Sequence, residues 1–160
     1  MPLLHEEHFR QVENLLFEWA RAIDENRVEA IGVLLAPDGR YTVQSRFNAD
    51  RGLPHALIDA RSAAQLRDRI KSMRLANIYE PHQYRHLISG VQIVDGEGGL
   101  LRVRSSFVVV RTMELDGDMR VFAAGQCEDV VDVRGAEPVF RSRHFKLDSR
   151  VVETLLVIPL

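Results

Sequence analysis

The spacing of apolar residues changes period part-way along the chain, and this change constrains the fold more than any short motif does. From Phe9 the apolar positions fall at Val12, Leu15, Leu16, Trp19, Ala20 and Ile23 with charges between them, the stripe of an amphipathic helix. After Tyr84 the period becomes two. Val103, Ser105, Phe107 and Val109 alternate with Arg102, Arg104, Ser106 and Val108, as on a strand with one face buried. Turn signals at Asp95 to Gly99, Asp116 to Asp118 and Arg134-Gly135 divide this half into about four strands, over 84–94, 100–115, 119–133 and 138–158. Helices followed by a long antiparallel meander predict an α+β domain whose N-terminal helices pack on one face of a curved antiparallel sheet.

The first half carries further local signals. A short second helix is expected to hold Val28, Ile31, Leu34 and Leu35, ending before a turn at Ala36 to Gly39 that leads into a strand at Tyr41 to Gln44. Phe47 to Pro54 reads as looser. Ser62 to Gln65 has the form of a capping box, and Leu66, Ile70 and Met73 continue a third helix to about Asn77, with Pro81 preventing much extension. With 160 residues and 46% hydrophobic content, the chain suits a single domain over 1–160.

Charge and cysteine count exclude several classes of function. A formal net charge of -2 gives no broad basic surface for nucleic acid or an anionic membrane. No apolar run approaches the ~20 residues of a membrane helix, and the first residues lack a basic segment followed by an apolar one, so a cytoplasmic location is expected. The single cysteine, Cys127, rules out an internal disulfide and reads as a small core residue.

Candidate chemistry is sparse. His82 and His86, four apart, straddle a strand start where that spacing is not expected to bring the rings together; His5 and His8 share a helix face near the start. Hydrogen-bonded or solvated histidines are the expectation for both pairs. Tyr41, Asp59, Tyr84 and His86 are candidates for an acid–base pocket, with the competing expectation that Arg85 and His86 anchor their strand by hydrogen bonds. Arg67, Lys71 and Arg74 form a basic stripe that reads as a solvated helix face. Arg102 with Arg104, and Arg141 with Arg143, repeat every second residue and could meet carboxylates of a partner. The stretch Val151 to Leu160 is apolar almost throughout, which predicts a central last strand whose tail lies in a core or a subunit interface.

Within the α+β class the layout resembles the cone of NTF2-like (cystatin-like) domains. The segment Asn77 to Gly90, with its acidic-Pro stretch before Arg85-His86, resembles the β (small) subunits of Rieske non-haem iron aromatic-ring-hydroxylating dioxygenases. So do Gly52 to Pro54, Leu66 to Ile70, Val121 to Gln126, Asp148-Ser149 and Thr154 to Leu160, in order along nearly the whole chain. Within that family the small subunits of terephthalate dioxygenase and salicylate 5-hydroxylase are the most similar. The resemblance implies an α3β3 hexamer built on a β homotrimer. It places the Rieske [2Fe-2S] cluster and mononuclear Fe(II) in the α subunit, supplies electrons from NAD(P)H through a reductase or ferredoxin, and implies an aromatic carboxylate as the substrate of the whole enzyme. It carries no catalytic, cofactor or metal residue onto this chain. Ligand counting agrees, because a Rieske cluster needs two cysteines and two histidines, and a mononuclear iron two histidines and a carboxylate on one face. The alternative is a stand-alone NTF2-like isomerase, dehydratase or small-ligand-binding protein using a His86 pocket.

Overall fold

The computed structural model describes residues 2–75, 79–152 and 158–160, with side chains from Glu6 onward. Helix α1 (Pro2–Asp24) is followed by a 3-10 turn (Val28–Ala30), α2 (Ile31–Leu34), β1 (Leu35–Ser45), α3 (Arg46–Asp50), β2 (Ile58–Ala60) and α4 (Ala63–Leu75). The second half is the meander β3 (His82–Glu97), β4 (Leu100–Met113), β5 (Met119–Asp132) and β6 (Val139–Leu147). One six-stranded sheet results, in the order β2-β1-β6-β5-β4-β3. Among the described residues only the β1–β6 pair is parallel.

The period-two pattern sets which residues face the helices. One inner row crosses all six strands: Ala60, Tyr41, Arg143, Asp129, Val103 and Ile93 are successive register partners. Phe145 and Cys127 stand opposite each other in the next inner row, beside Ser105. Helix α1 lays Val12, Leu15, Leu16, Trp19 and Ile23 over these rows, and α4 adds Leu66, Ile70 and Met73. The expected capping box forms: Ser62 Oγ accepts from the Gln65 N–H at 3.1 Å, and Gln65 Oε1 accepts from the Arg61 N–H at 2.8 Å. Gly125 lies where β6 crosses closely; a Cβ there would stand 2.0 Å from the Lys146 carbonyl oxygen.

Several expectations are corrected. Ala36 to Gly39 lies inside β1 as an irregularity of its pairing with β6, with the register shifting between the paired residues Leu35 and Arg40, so the Pro-Asp-Gly signal marks a bulge. The looser stretch contains α3, whose N-cap Ser45 accepts from the Asn48 N–H at 3.1 Å. Helix α4 is described to Leu75, and Asn77 lies outside the described residues. The last strand is central, between β1 and β5, but ends at Leu147 rather than near 158. Beyond it the chain returns to the core, although 153–157 lie outside the described residues. Leu160 is fully buried; its carbonyl accepts from Trp19 Nε1 and from Tyr41 Oη, both at 2.9 Å, and its N–H donates to Tyr41 Oη at 2.9 Å.

Leu160 therefore acts as a latch across 119 residues of sequence separation from Tyr41. Leu160→Ala should cost about 2–5 kcal/mol of unfolding free energy. Tyr41→Phe, which leaves buried backbone groups without a partner, should cost about 1–3 kcal/mol. Urea denaturation of each variant measures this, and unchanged midpoints would contradict the latch.

Candidate functional site

The interior of the cone is charged at its centre. Arg143 on β6 and Asp129 on β5 are cross-strand partners whose side chains are 2% and 0% exposed, with Nε to Oδ1 at 2.9 Å and Nη2 to Oδ2 at 3.2 Å. Three aromatic rings surround the guanidinium, Phe140 at 4.2 Å, Phe145 at 4.7 Å and Trp19 at 4.9 Å from their centroids. The Cys127 thiol donates to Asp129 Oδ1 at 3.2 Å and lies 3.5 Å from Arg143 Nη2. Burial and the neighbouring carboxylate push this thiol well above its ordinary value, so it is an inert core group, as expected from the sequence. Burial opposes the Arg143 charge, and Asp129 outweighs that effect and holds the guanidinium protonated.

The second polar cluster lies where α1 meets β3. His86 Nδ1 and Asp24 Oδ1 are 2.6 Å apart, and the His86 backbone N–H donates to Asp24 Oδ2 at 2.9 Å. These side chains are 2% and 6% exposed. A carboxylate in the last turn of a helix opposes the helix dipole, and His86 compensates with two donors. The imidazole Nε2 is buried without a hydrogen-bond partner among the described residues.

The four acid–base candidates do not converge. Tyr41 is buried and engaged by Leu160, with burial pushing its phenol far above the ordinary value. Asp59 sits on the edge strand β2, in ion pairs with Arg40 at 3.0 Å and Arg61 at 3.3 Å. His86 and Tyr84 belong to β3, the opposite edge of the sheet. Tyr84 stacks on Phe122, with centroids 5.4 Å apart and planes 23° apart. The expectation that His86 anchors its strand holds for His86, through Asp24. His82 and His86 do share the inner face of β3, contrary to the sequence expectation, because a strand returns to one face every second residue. The Tyr84 ring stands between them, at 5.2 Å from His82 and 6.2 Å from His86. The side chain of His5 lies outside the described residues. Among the described residues no group of three His, Cys, Asp or Glu side chains could hold a metal ion, and no helix is long and apolar enough to cross a membrane.

The arginines also divide differently from expectation. Arg143 points into the core, not toward a partner. Arg141 pairs with Asp38 at 3.1 Å, Arg102 pairs with Asp95, and Arg104 donates to Gln92 at 2.9 Å, all within the chain. Of the basic stripe, Arg74 binds Glu29 at 2.7 Å and Asn26 at 2.8 Å and ties α4 to the 3-10 turn, while Lys71 is solvated. The residues that sequence reasoning missed are Asp24 and Asp129. Both had signals: an anion at a helix C-terminus, and an acidic residue on the inner face of one strand with an arginine on the inner face of another.

Similarity to known proteins decides the family of this domain. Residues 18–154 match the family model described as ring hydroxylating beta subunit. The chain belongs to that family. The small subunit of anthranilate 1,2-dioxygenase from Burkholderia cepacia is 36% identical over 139 residues, covering 86% of this chain and 85% of that one. A β subunit of the terminal oxygenase component of terephthalate 1,2-dioxygenase from Comamonas is 33% identical over 142 residues, covering 89% and 92%. The crystal structure of a β subunit assigned to an aromatic-ring-hydroxylating dioxygenase of Novosphingobium aromaticivorans superposes with a TM-score of 0.86 at 32% identity, covering 94% and 95%. A protein assigned as a scytalone dehydratase from the same organism, at 16% identity and a TM-score of 0.72, shares the fold alone. This β subunit thus has the NTF2-like cone read from its sequence, and family membership implies an α-subunit partner.

Two measurements test the energetics of the interior. Arg143→Met or Asp129→Asn alone should cost about 3–5 kcal/mol by stranding one buried group, whereas the double variant Arg143→Met/Asp129→Leu should recover most of it. Equal losses in single and double variants would contradict the pairing. Stability should also fall on both sides of neutrality. Burial lowers the His144 imidazole, the Arg74 hydrogen bond lowers Glu29, and the Arg134 hydrogen bond holds Asp132 at about 2. All three lie below their unfolded values. Their contribution is complete above those values and is lost on acidification, from about pH 6.5 for His144 and below about pH 4 for the carboxylates. Burial raises Cys127, Tyr41 and Tyr84, so their contribution is lost as pH rises past about 8.5 to 10. Denaturant midpoints across a pH series check both limbs; stability increasing on acidification would contradict the assignment.

Proposed function

We propose that this β subunit is a structural, non-catalytic component of an α3β3 ring-hydroxylating dioxygenase. Its single domain spans 1–160, and a β homotrimer supports α subunits that hold the Rieske [2Fe-2S] cluster and mononuclear Fe(II). NAD(P)H supplies electrons through a reductase or ferredoxin, in the cytoplasm, and the substrate of the assembly is an aromatic carboxylate. The observation that carries this reading is the packed centre of the inner face, where Arg143–Asp129, four aromatic rings and Leu160 engage one another. Of the acid–base candidates, Asp59 lies on one edge strand and Tyr84 and His86 on the other, while Tyr41 is engaged by Leu160. A stand-alone isomerase or dehydratase would need them to converge. The substrate class follows from the anthranilate and terephthalate in the names of the relatives.

The outer face of the sheet supports a protein partner. Leu87, Val108 and Ala124 are successive register partners, and Val110 with Val121 forms the next outward row. Leu87 is 54% exposed and both Val121 and Met119 are 67% exposed. A contiguous apolar face of this kind is costly to leave in water.

Co-expression with an α subunit of the same family from the same genome should give one complex of α3β3 mass on size exclusion with light scattering. Two separate peaks would contradict the proposal. Leu87→Asp/Val121→Asp should release a folded monomeric β subunit, and an intact hexamer carrying both changes would remove the outer face from the assembly.

A further inference from the structure

Between the two buried polar clusters lies an enclosed cavity of about 10 Å3, bounded by His86, Ser105, Cys127 and Arg143 together with Trp19, Phe107 and other apolar side chains. That space is about enough for a single water molecule. Three of the side chains that line it carry a polar group with hydrogen-bonding capacity left over. His86 Nε2 is buried and has no hydrogen-bond partner among the described residues. Ser105 is 4% exposed, and its hydroxyl makes no hydrogen bond with another described residue. Arg143 directs Nε and Nη2 to Asp129 and Cys127, which leaves the two N–H groups of Nη1. An apolar cavity of this size would stay dry, but one walled by a donor, an acceptor and a hydroxyl fits the two to four bonds of an internal water.

We propose that this cavity is a built site for one ordered water that joins the two clusters into a continuous hydrogen-bonded chain. In the neutral ring, an Nδ1–H that donates to Asp24 leaves Nε2 as an acceptor. The water donates to Nε2 and to Ser105 Oγ and accepts from the Arg143 guanidinium. The chain then runs from Asp24 at the C-terminus of α1, through His86 on β3 and the water, to Arg143 on β6 and Asp129 on β5. It ties the helix and the edge strand to the centre of the sheet through polar contacts that the apolar packing does not supply. It also explains why an imidazole is tolerated at a position that is otherwise core. The site takes a water, and nothing larger than one or two heavy atoms fits it. The inference concerns the folded β subunit itself and stands whether or not the chain assembles as proposed above.

A high-resolution crystal structure of the full chain, alone or in its complex, tests the site directly. The expected result is density for one water at about 2.7–3.2 Å from His86 Nε2 and within the same range of Ser105 Oγ or an Arg143 nitrogen. An NMR cross-peak between a long-lived water and the His86 ring in the wild-type protein should accompany it. Ser105→Val fills the space with two methyl groups and should abolish both signals; should that variant not fold, the two wild-type measurements decide alone. An empty cavity, a direct bond from Nε2 to a protein atom, or a water that touches Nε2 and no second polar group would overturn the proposal.

Discussion

The structure depends most on one buried ion pair. Arg143 and Asp129 face each other across β5 and β6, inside a shell of Trp19, Phe140 and Phe145, where water cannot screen either charge. A one-residue slip of β6 would turn Arg143 to solvent and strand Asp129 in the core, so the pair specifies the register of the sheet more strictly than apolar alternation alone. The rest of the interior is arranged round it. Tyr41 precedes Arg143 in the inner row, Cys127 hydrogen-bonds Asp129, and Leu160 closes the remaining space by bonding Tyr41 and Trp19.

That arrangement has a functional consequence. A curved sheet with helices on its concave face offers a pocket wherever the interior is left open and lined by a few polar groups. In this β subunit the principal polar groups pair with one another. Asp24 holds His86, Asp129 holds Arg143, and Leu160 holds Tyr41. Groups satisfied in this way stiffen a domain and are poorly placed to exchange protons with a substrate, in keeping with the structural role proposed above for this subunit.

Much of this was legible in the sequence. The change of period near Tyr84 marks the order of helices and strands, the turn signals bound β3, β4 and β5 to within a few residues, Cys127 reads as core, and the apolar tail reads as bound for a core or a subunit interface, where Leu160 is found buried. The misses have physical causes. Pro37 and Gly39 read as a breaker, yet they are accommodated in a bulge of β1, because local turn chemistry and a strand irregularity use the same residues. The end of β6 was overestimated because an apolar run bears on burial and says nothing of hydrogen bonding; Leu160 reaches the core by returning to it, not by extending the strand. The candidate site was half visible. His86 stood out, but its partner Asp24 lies 62 residues away in sequence, and a pairing at that distance has no local signature.

The proposed structural role requires that the interior of this β subunit act as core and contribute no catalytic group. The most direct measurement is steady-state turnover of the reconstituted, iron-loaded oxygenase carrying His86→Gln or Tyr84→Phe in the β subunit, with hexamer content verified for each preparation. The account predicts kcat and KM within about twofold of wild type, the scale expected when no interaction specific to the transition state is removed. A loss of about a hundredfold or more in kcat with an intact, fully loaded hexamer would place a catalytic group in this chain and contradict it.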